Sequence, residues 1–175
     1  MVGKKRKNSD SSYSEPGKTG TEQAFITNAL RAGGSNQFMS LKNKSVNSEI
    51  DHFIGPGDVS RIIINSKRSL KKVSAAELYK ISNYLNNKYN CFKIDKALNR
   101  KKGQIQLEDY HLKKYMVEYW EEKTEDGKTV GEHVGKNIRR MKKEGGLYKE
   151  VGQYIEEHVV DKFNKSSGRS SSCFH

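Results

Sequence analysis

Two capping boxes constrain this chain more than any other feature. Ser74 is followed three residues later by Glu77, and Thr129 by Glu132. At that spacing the hydroxyl accepts from the backbone N–H three residues on. The carboxylate reaches back to the N–H of the hydroxyl residue, so two unpaired donors of a helix start are satisfied together. Each box opens a run with helical spacing. In Ser74 to Asn90, Leu78, Ile81, Leu85 and Tyr89 recur at steps of three and four, and Phe92 extends the stripe if the helix continues. After Thr129, Val130, Val134, Ile138 and Met141 fall on one face, and Gly145-Gly146 marks the stop.

Weaker patterns fill the space between. Thr21 to Gly34 reads as a short helix, with Phe25, Ile26, Ala29 and Leu30 on one face and Gly33-Gly34 at its end. Leu107 to Lys123 reads as a helix with Leu112, Tyr115, Met116, Tyr119 and Trp120 to one side, although YWEEKTEDGKTV also reads as a hairpin about Asp126-Gly127. Leu147 to Asn164 carries Leu147, Val151, Tyr154, Ile155 and Val159 on a broad apolar face. GPGD at 55–58 reads as a turn, and Arg61 to Asn65, RIIIN, as a short β-branched strand. The expectation is a mainly α fold, a single small bundle of four to five helices over residues 21–164, with room for one short strand or hairpin. Residues 1–20 are polar, Ser-rich and aperiodic, and read as a disordered basic arm; residues 165–175 read as a flexible Ser-rich tail. The hydrophobic share of 33% fits a chain with loose ends.

Charge points to a partner. The net charge is +12, and it is unevenly spread: residues 61–105 hold 12 basic and 2 acidic residues. Such a balance favours polyanions, either nucleic acid or an anionic membrane face. Arg61, Lys67, Arg68, Lys71 and Lys72 precede the Ser74 helix, and Lys93, Lys96, Arg100, Lys101 and Lys102 follow it. Tyr79 lies on the polar side of that helix, where it is placed to stack on an unpaired base, whereas Tyr89 lies on the core stripe. In the Thr129 helix, Lys136, Arg139, Arg140 and Lys143 share an arc of about 100° that carries no acid. These two basic surfaces are the candidate nucleic-acid-binding residues. Cations near a helix C-terminus also suit the macrodipole, which is the competing, purely structural account of the second surface.

Lys4, Lys5, Arg6 and Lys7 resemble a nuclear-localisation cluster, with SKRSLKK at 66–72 a weaker second match. Phosphorylation at Ser9, Ser11, Ser12 or Ser14 would offset the arm's charge. No secretory signal, lipidation box or membrane-spanning run is legible. The two cysteines, Cys91 and Cys173, form no disulfide framework, which fits cytoplasm or nucleus. Enzyme signatures are poor. The two GKT triplets have Ser12 and Glu122 where a phosphate-binding loop needs glycine. The histidines at 52, 111, 133, 158 and 175 show no zinc spacing and most read as ordinary surface residues, so no metal or cofactor is expected.

The expected function is therefore that of a non-enzymatic structural protein. It packages or organises RNA or DNA through phosphate contacts with low sequence specificity, in the manner of a viral nucleoprotein or coat component, and acts in nucleus, cytoplasm or virion. The alternative is a protein- or membrane-interaction module, matrix-like or adaptor, whose basic faces meet acidic partners or anionic lipids and whose Tyr115/Tyr119/Trp120 cluster is an exposed patch. Self-association suits either role, although no heptad pattern specifies it.

Overall fold

A computed structural model describes residues 16–32, 47–66 and 73–168, the first four by backbone alone. The fold is mainly helical, as expected, with more helices than the sequence suggested and one small sheet. In chain order the elements are α1 (Pro16–Ala32), β1 (Ser48–His52), α2 (Pro56–Asn65), α3 (Ala75–Leu85), β2 (Cys91–Asp95), α4 (Lys96–Lys102), a 3-10 turn (Leu107–Leu112), α5 (Lys114–Glu121), α6 (Val130–Lys143), α7 (Gly146–Ile155), a π turn (Glu156–Val160) and α8 (Asp161–Ser166).

Both capping boxes form. Ser74 Oγ accepts from Glu77 N at 3.2 Å while Glu77 returns to Ser74 N at 2.8 Å. Thr129 and Glu132 repeat the exchange at 3.1 and 2.6 Å. The apolar faces behind them are buried as read, through Leu78, Ile81 and Leu85 in α3 and Val130, Val134, Ile138 and Met141 in α6.

Elsewhere tertiary burial overrides local pattern. RIIIN is helical, not a strand. Gly55 caps α2, Pro56 sits in its first turn and Asp58 complements the dipole, so GPGD is a helix start. Val59, Ile62 and Ile63 then bury at steps of three and four, and that packing outweighs their β preference. The sheet comes instead from two five-residue segments that pair antiparallel, Ser48 opposite Asp95 through His52 opposite Cys91. α1 begins at Pro16, so its first turn lies inside the segment read as an arm. Ile26 and Leu30 enter the core, but Phe25 and Leu112, both read as core-facing, are 61% and 65% exposed. The 107–130 region combines both expectations. Helix α5 runs to Glu121, and a turn then closes through the Lys123–Thr129 bridge, with Gly127 at φ 79° where only glycine is unstrained.

The core centres on Phe53, whose ring lies 5.4 Å from Tyr119, 5.3 Å from Trp120 and 6.0 Å from Phe163. Trp120 and Phe163 stack at 4.4 Å and 4°. The patch proposed around Tyr119 and Trp120 is thus core: they are 2% and 3% exposed. The π turn carries the chain from Ile155 to Phe163, and both side chains are fully buried. Beneath the sheet, Lys102 donates to both Asp51 oxygens, at 2.7 and 2.6 Å, and to the His52 carbonyl, with the pair 6% and 7% exposed.

Candidate nucleic-acid interface

The site begins where α3 ends. The last four carbonyls of a helix have no partner within it. Here asparagines supply one. Asn86 Nδ2 donates to Ser82 O at 3.0 Å; Asn87 Nδ2 donates to Asn83 O at 2.8 Å and Tyr84 O at 3.0 Å; Asn90 Nδ2 donates to Leu85 O at 2.8 Å. The chain therefore leaves the helix after Leu85, and Tyr89, read as the end of the core stripe, sits half-buried on the following turn. Asn137 of α6 completes the set. Its Nδ2 donates to Tyr84 O at 2.7 Å, and its Oδ1 accepts from Asn87 Nδ2 at 3.2 Å. At 2% exposed, Asn137 pins the middle of α6 against the end of α3. Asn137→Ala leaves buried polar groups short of a partner and is expected to cost about 1–3 kcal/mol in chemical denaturation, with weaker nucleic-acid binding alongside.

That pin sets the electrostatics. Lys136 and Arg140 flank Asn137 on the exposed side of α6, and both reach the Tyr89 ring. Lys136 Nζ lies 5.4 Å from the ring centroid, Arg140 Cζ 5.7 Å and Lys88 Nζ 5.3 Å. The His133 imidazole lies 5.6 Å from the same ring. Among the described residues no carboxylate lies within ion-pair distance of Lys88, Lys136 or Arg140. Arg140 feels the field of Glu144, but the Glu144 oxygens are taken by Lys80 and by the Tyr84 hydroxyl at 2.8 Å. Burial and the bond to Glu144 push the Tyr84 hydroxyl up to about 12, so it stays a donor at neutral pH. Each cation over this half-buried ring gains about 0.5–1 kcal/mol. Three cations on one ring also repel one another, and a phosphate relieves that repulsion.

Two hollows flank the α6 ridge. One, of about 330 Å³, is lined by Lys80, Asn83, Asn87, Tyr89 and Arg140. The other, of about 210 Å³, lies between Lys128, Lys136 and Arg139 over Gly131 and Gly135. Lys143 is exposed further along the same helix.

The segment 61–105, the richer basic region by count, is divided by the fold. Arg61 donates to both oxygens of Glu108, at 2.9 and 2.8 Å, so its charge is engaged. Lys102 is buried against Asp51 and does not reach a ligand at the surface, a correction to its reading as a phosphate contact. Lys93 is exposed on β2, Lys96 is half-buried, and Arg100 and Lys101 are exposed on α4. Lys101 lies over Tyr115 at 6.0 Å, and the α5 end nearby carries Glu118 and Glu121, with Glu122 just after it. Tyr79 is 62% exposed. Lys67, Arg68, Lys71, Lys72 and the Lys4–Lys7 cluster lie outside the described residues.

A comparison with protein-family models, curated proteins and solved structures found no match.

Sequence reasoning missed Lys88, assigned Tyr89 to the core and took His133 for a surface residue. The signal available was NNKYN, a run of asparagines able to end a helix around a lysine and an aromatic. His133 is 6% exposed, with Nε2 3.0 Å from Asp126 Oδ1 and 2.9 Å from Thr124 Oγ1. His52, His111 and His158 are half-buried. Burial pushes the Cys91 thiol up, which keeps it protonated and unreactive. No group of three or more His, Cys, Asp or Glu able to hold a metal occurs among the described residues. Among them, too, no helix is long and apolar enough to cross a membrane.

Proposed function

We propose that this chain is a non-enzymatic nucleic-acid-binding structural protein that holds RNA or DNA through its phosphates. The observation that carries the reading is the convergence of Lys88, Lys136 and Arg140, from two distant segments, on the ring of Tyr89 with no acid paired to them. A solvated helix face supplies cations but does not require a second element to bring another to the same point. The polyanion that best answers closely spaced cations is one whose own charges are closely spaced. Phosphate contacts position a strand without reading its sequence, so low specificity and a packaging or organising role follow. Acidic proteins and anionic lipid surfaces are the competing partners.

The test is charge reversal at Lys136 and Arg140 together. Both side chains are exposed, so the double Glu variant should stay folded and lose no more than the ~1–2 kcal/mol of the two ring contacts. Affinity for single-stranded RNA or DNA should fall at least tenfold at low salt. The slope of log K against log salt should shrink by about 1.4, at roughly 0.7 per lost contact on a single strand. An unchanged affinity and slope would return α6 to an ordinary solvated face.

A further inference from the structure

Beside the Tyr89 cluster lies a groove of about 420 Å³ between the sheet and the 122–133 segment. Its size falls within the roughly 300–1,000 Å³ of small-ligand sites. The floor is apolar, made chiefly by half-buried Ile50, with Phe92 and Tyr119 beneath it at 9% and 2% exposed. Lys88 and Lys93 line the groove from the sheet side, and Glu122, Lys123, Glu125 and Asp126 from the 122–133 segment. Lys88 also belongs to the cation cluster, and His133, in the groove wall, lies 5.6 Å from Tyr89 and 6.1 Å from Phe92, so groove and cluster adjoin. The Nδ1 of His133 is buried without a hydrogen-bond partner, although Nε2 has two. A buried polar atom left unpaired calls for an explanation.

We propose that this groove takes one unpaired nucleobase of the strand whose phosphates lie on Lys88, Lys136 and Arg140, which makes the protein a single-strand binder. The inference rests on the phosphate-binding reading above. The lining charges orient the chain. Phosphates are held by Lys88 and Lys93 and repelled by the 122–126 strip, where Glu122, Glu125 and Asp126 outnumber Lys123, so the backbone follows the Lys88–Lys93 side and a base turns inward. The floor receives the base's apolar face, and the carboxylates of that strip accept from its exocyclic amino group. A duplex keeps its bases stacked and paired. It fills the groove only by extruding one, at a cost of a few kcal/mol.

The test compares three ligands at one salt concentration by fluorescence anisotropy: a single-stranded oligonucleotide, the same strand with alternate sites abasic, and the duplex. The abasic strand keeps every phosphate. The intact strand should bind tightest, with roughly a tenfold loss for the abasic strand, and the duplex should be weaker despite its higher charge density. A 2-aminopurine within the strand should change its emission on binding. Equal affinity for the intact and abasic strands, or for strand and duplex, would overturn the inference while leaving phosphate binding intact. No binding of any of the three would remove both.

Discussion

Gly131→Ala is expected to cost about 3 kcal/mol or more, the upper end of what overpacking does. A Cβ at Gly131 would lie 2.2 Å from Trp120 Cε2 and 2.5 Å from Nε1. The indole is held in place by other rings. It is stacked on Phe163 at 4.4 Å, and Phe53 packs against it at 5.3 Å. The new methyl must displace the aromatic centre of the core or push the start of α6 away from α5. The measurement is the urea midpoint of the purified variant, with near-ultraviolet circular dichroism to report the Trp120 environment. A midpoint within error of the parent would mean that α6 does not lie this close to the indole. Gly135 is the control, because the nearest atom to a Cβ there is Arg139 Nη1 at 3.5 Å, an ordinary contact. Gly135→Ala should be tolerated.

Lys102→Met is expected to cost about 3–5 kcal/mol, because it leaves the Asp51 carboxylate buried without its cation. Tyr119 Oη, at 3.5 Å, is left as a side-chain donor to it and donates only weakly. The loss should depend on pH. Burial raises the Asp51 pKa above its ordinary 3.8, and Lys102 pulls it back down. Removing Lys102 leaves burial in command, so the folded-state value climbs further. An acid whose folded pKa is raised favours the folded state while protonated. That contribution is complete below the unfolded pKa and is lost as pH rises through the folded one. The variant should therefore lie closest to the parent near pH 4 and diverge towards neutrality. Adding Asp51→Leu should recover much of the loss, since a buried pair replaced by packed apolar groups is often neutral. A single substitution costing under about 1 kcal/mol would show that the pair is well hydrated.

What was legible in the sequence was what local chemistry decides. Ser74–Glu77 and Thr129–Glu132 act within four residues, so the starts of α3 and α6 and the apolar faces behind them could be read directly. The helical phase of α6 likewise placed Lys136, Arg139, Arg140 and Lys143 on one exposed side. Contacts between distant segments were not legible. The strands pair across two intervening helices, and each is five residues long with no strong alternation. α2 is helical because Val59, Ile62 and Ile63 find a core, which no β-branched run announces on its own. Tyr89 left the core stripe because asparagine amides claimed the carbonyls that continued helix would have used. The candidate site divides in the same way. Lys136 and Arg140 were visible and Lys88 was not, and the meeting of all three on a single ring depends on Asn137 binding Tyr84 O across two elements. Lys102 shows the opposite error: a lysine in a basic run looked available, and only the partner strand revealed that its charge is spent on Asp51.

The most direct test of the account is the salt dependence of binding to a single-stranded oligonucleotide by the unaltered protein, between about 50 and 200 mM salt. With Lys88, Lys136 and Arg140 each meeting a phosphate, log K should fall linearly with log salt, with a slope of about −2 or steeper. A flat response, or no binding at the lowest salt while anionic vesicles are retained, would contradict it.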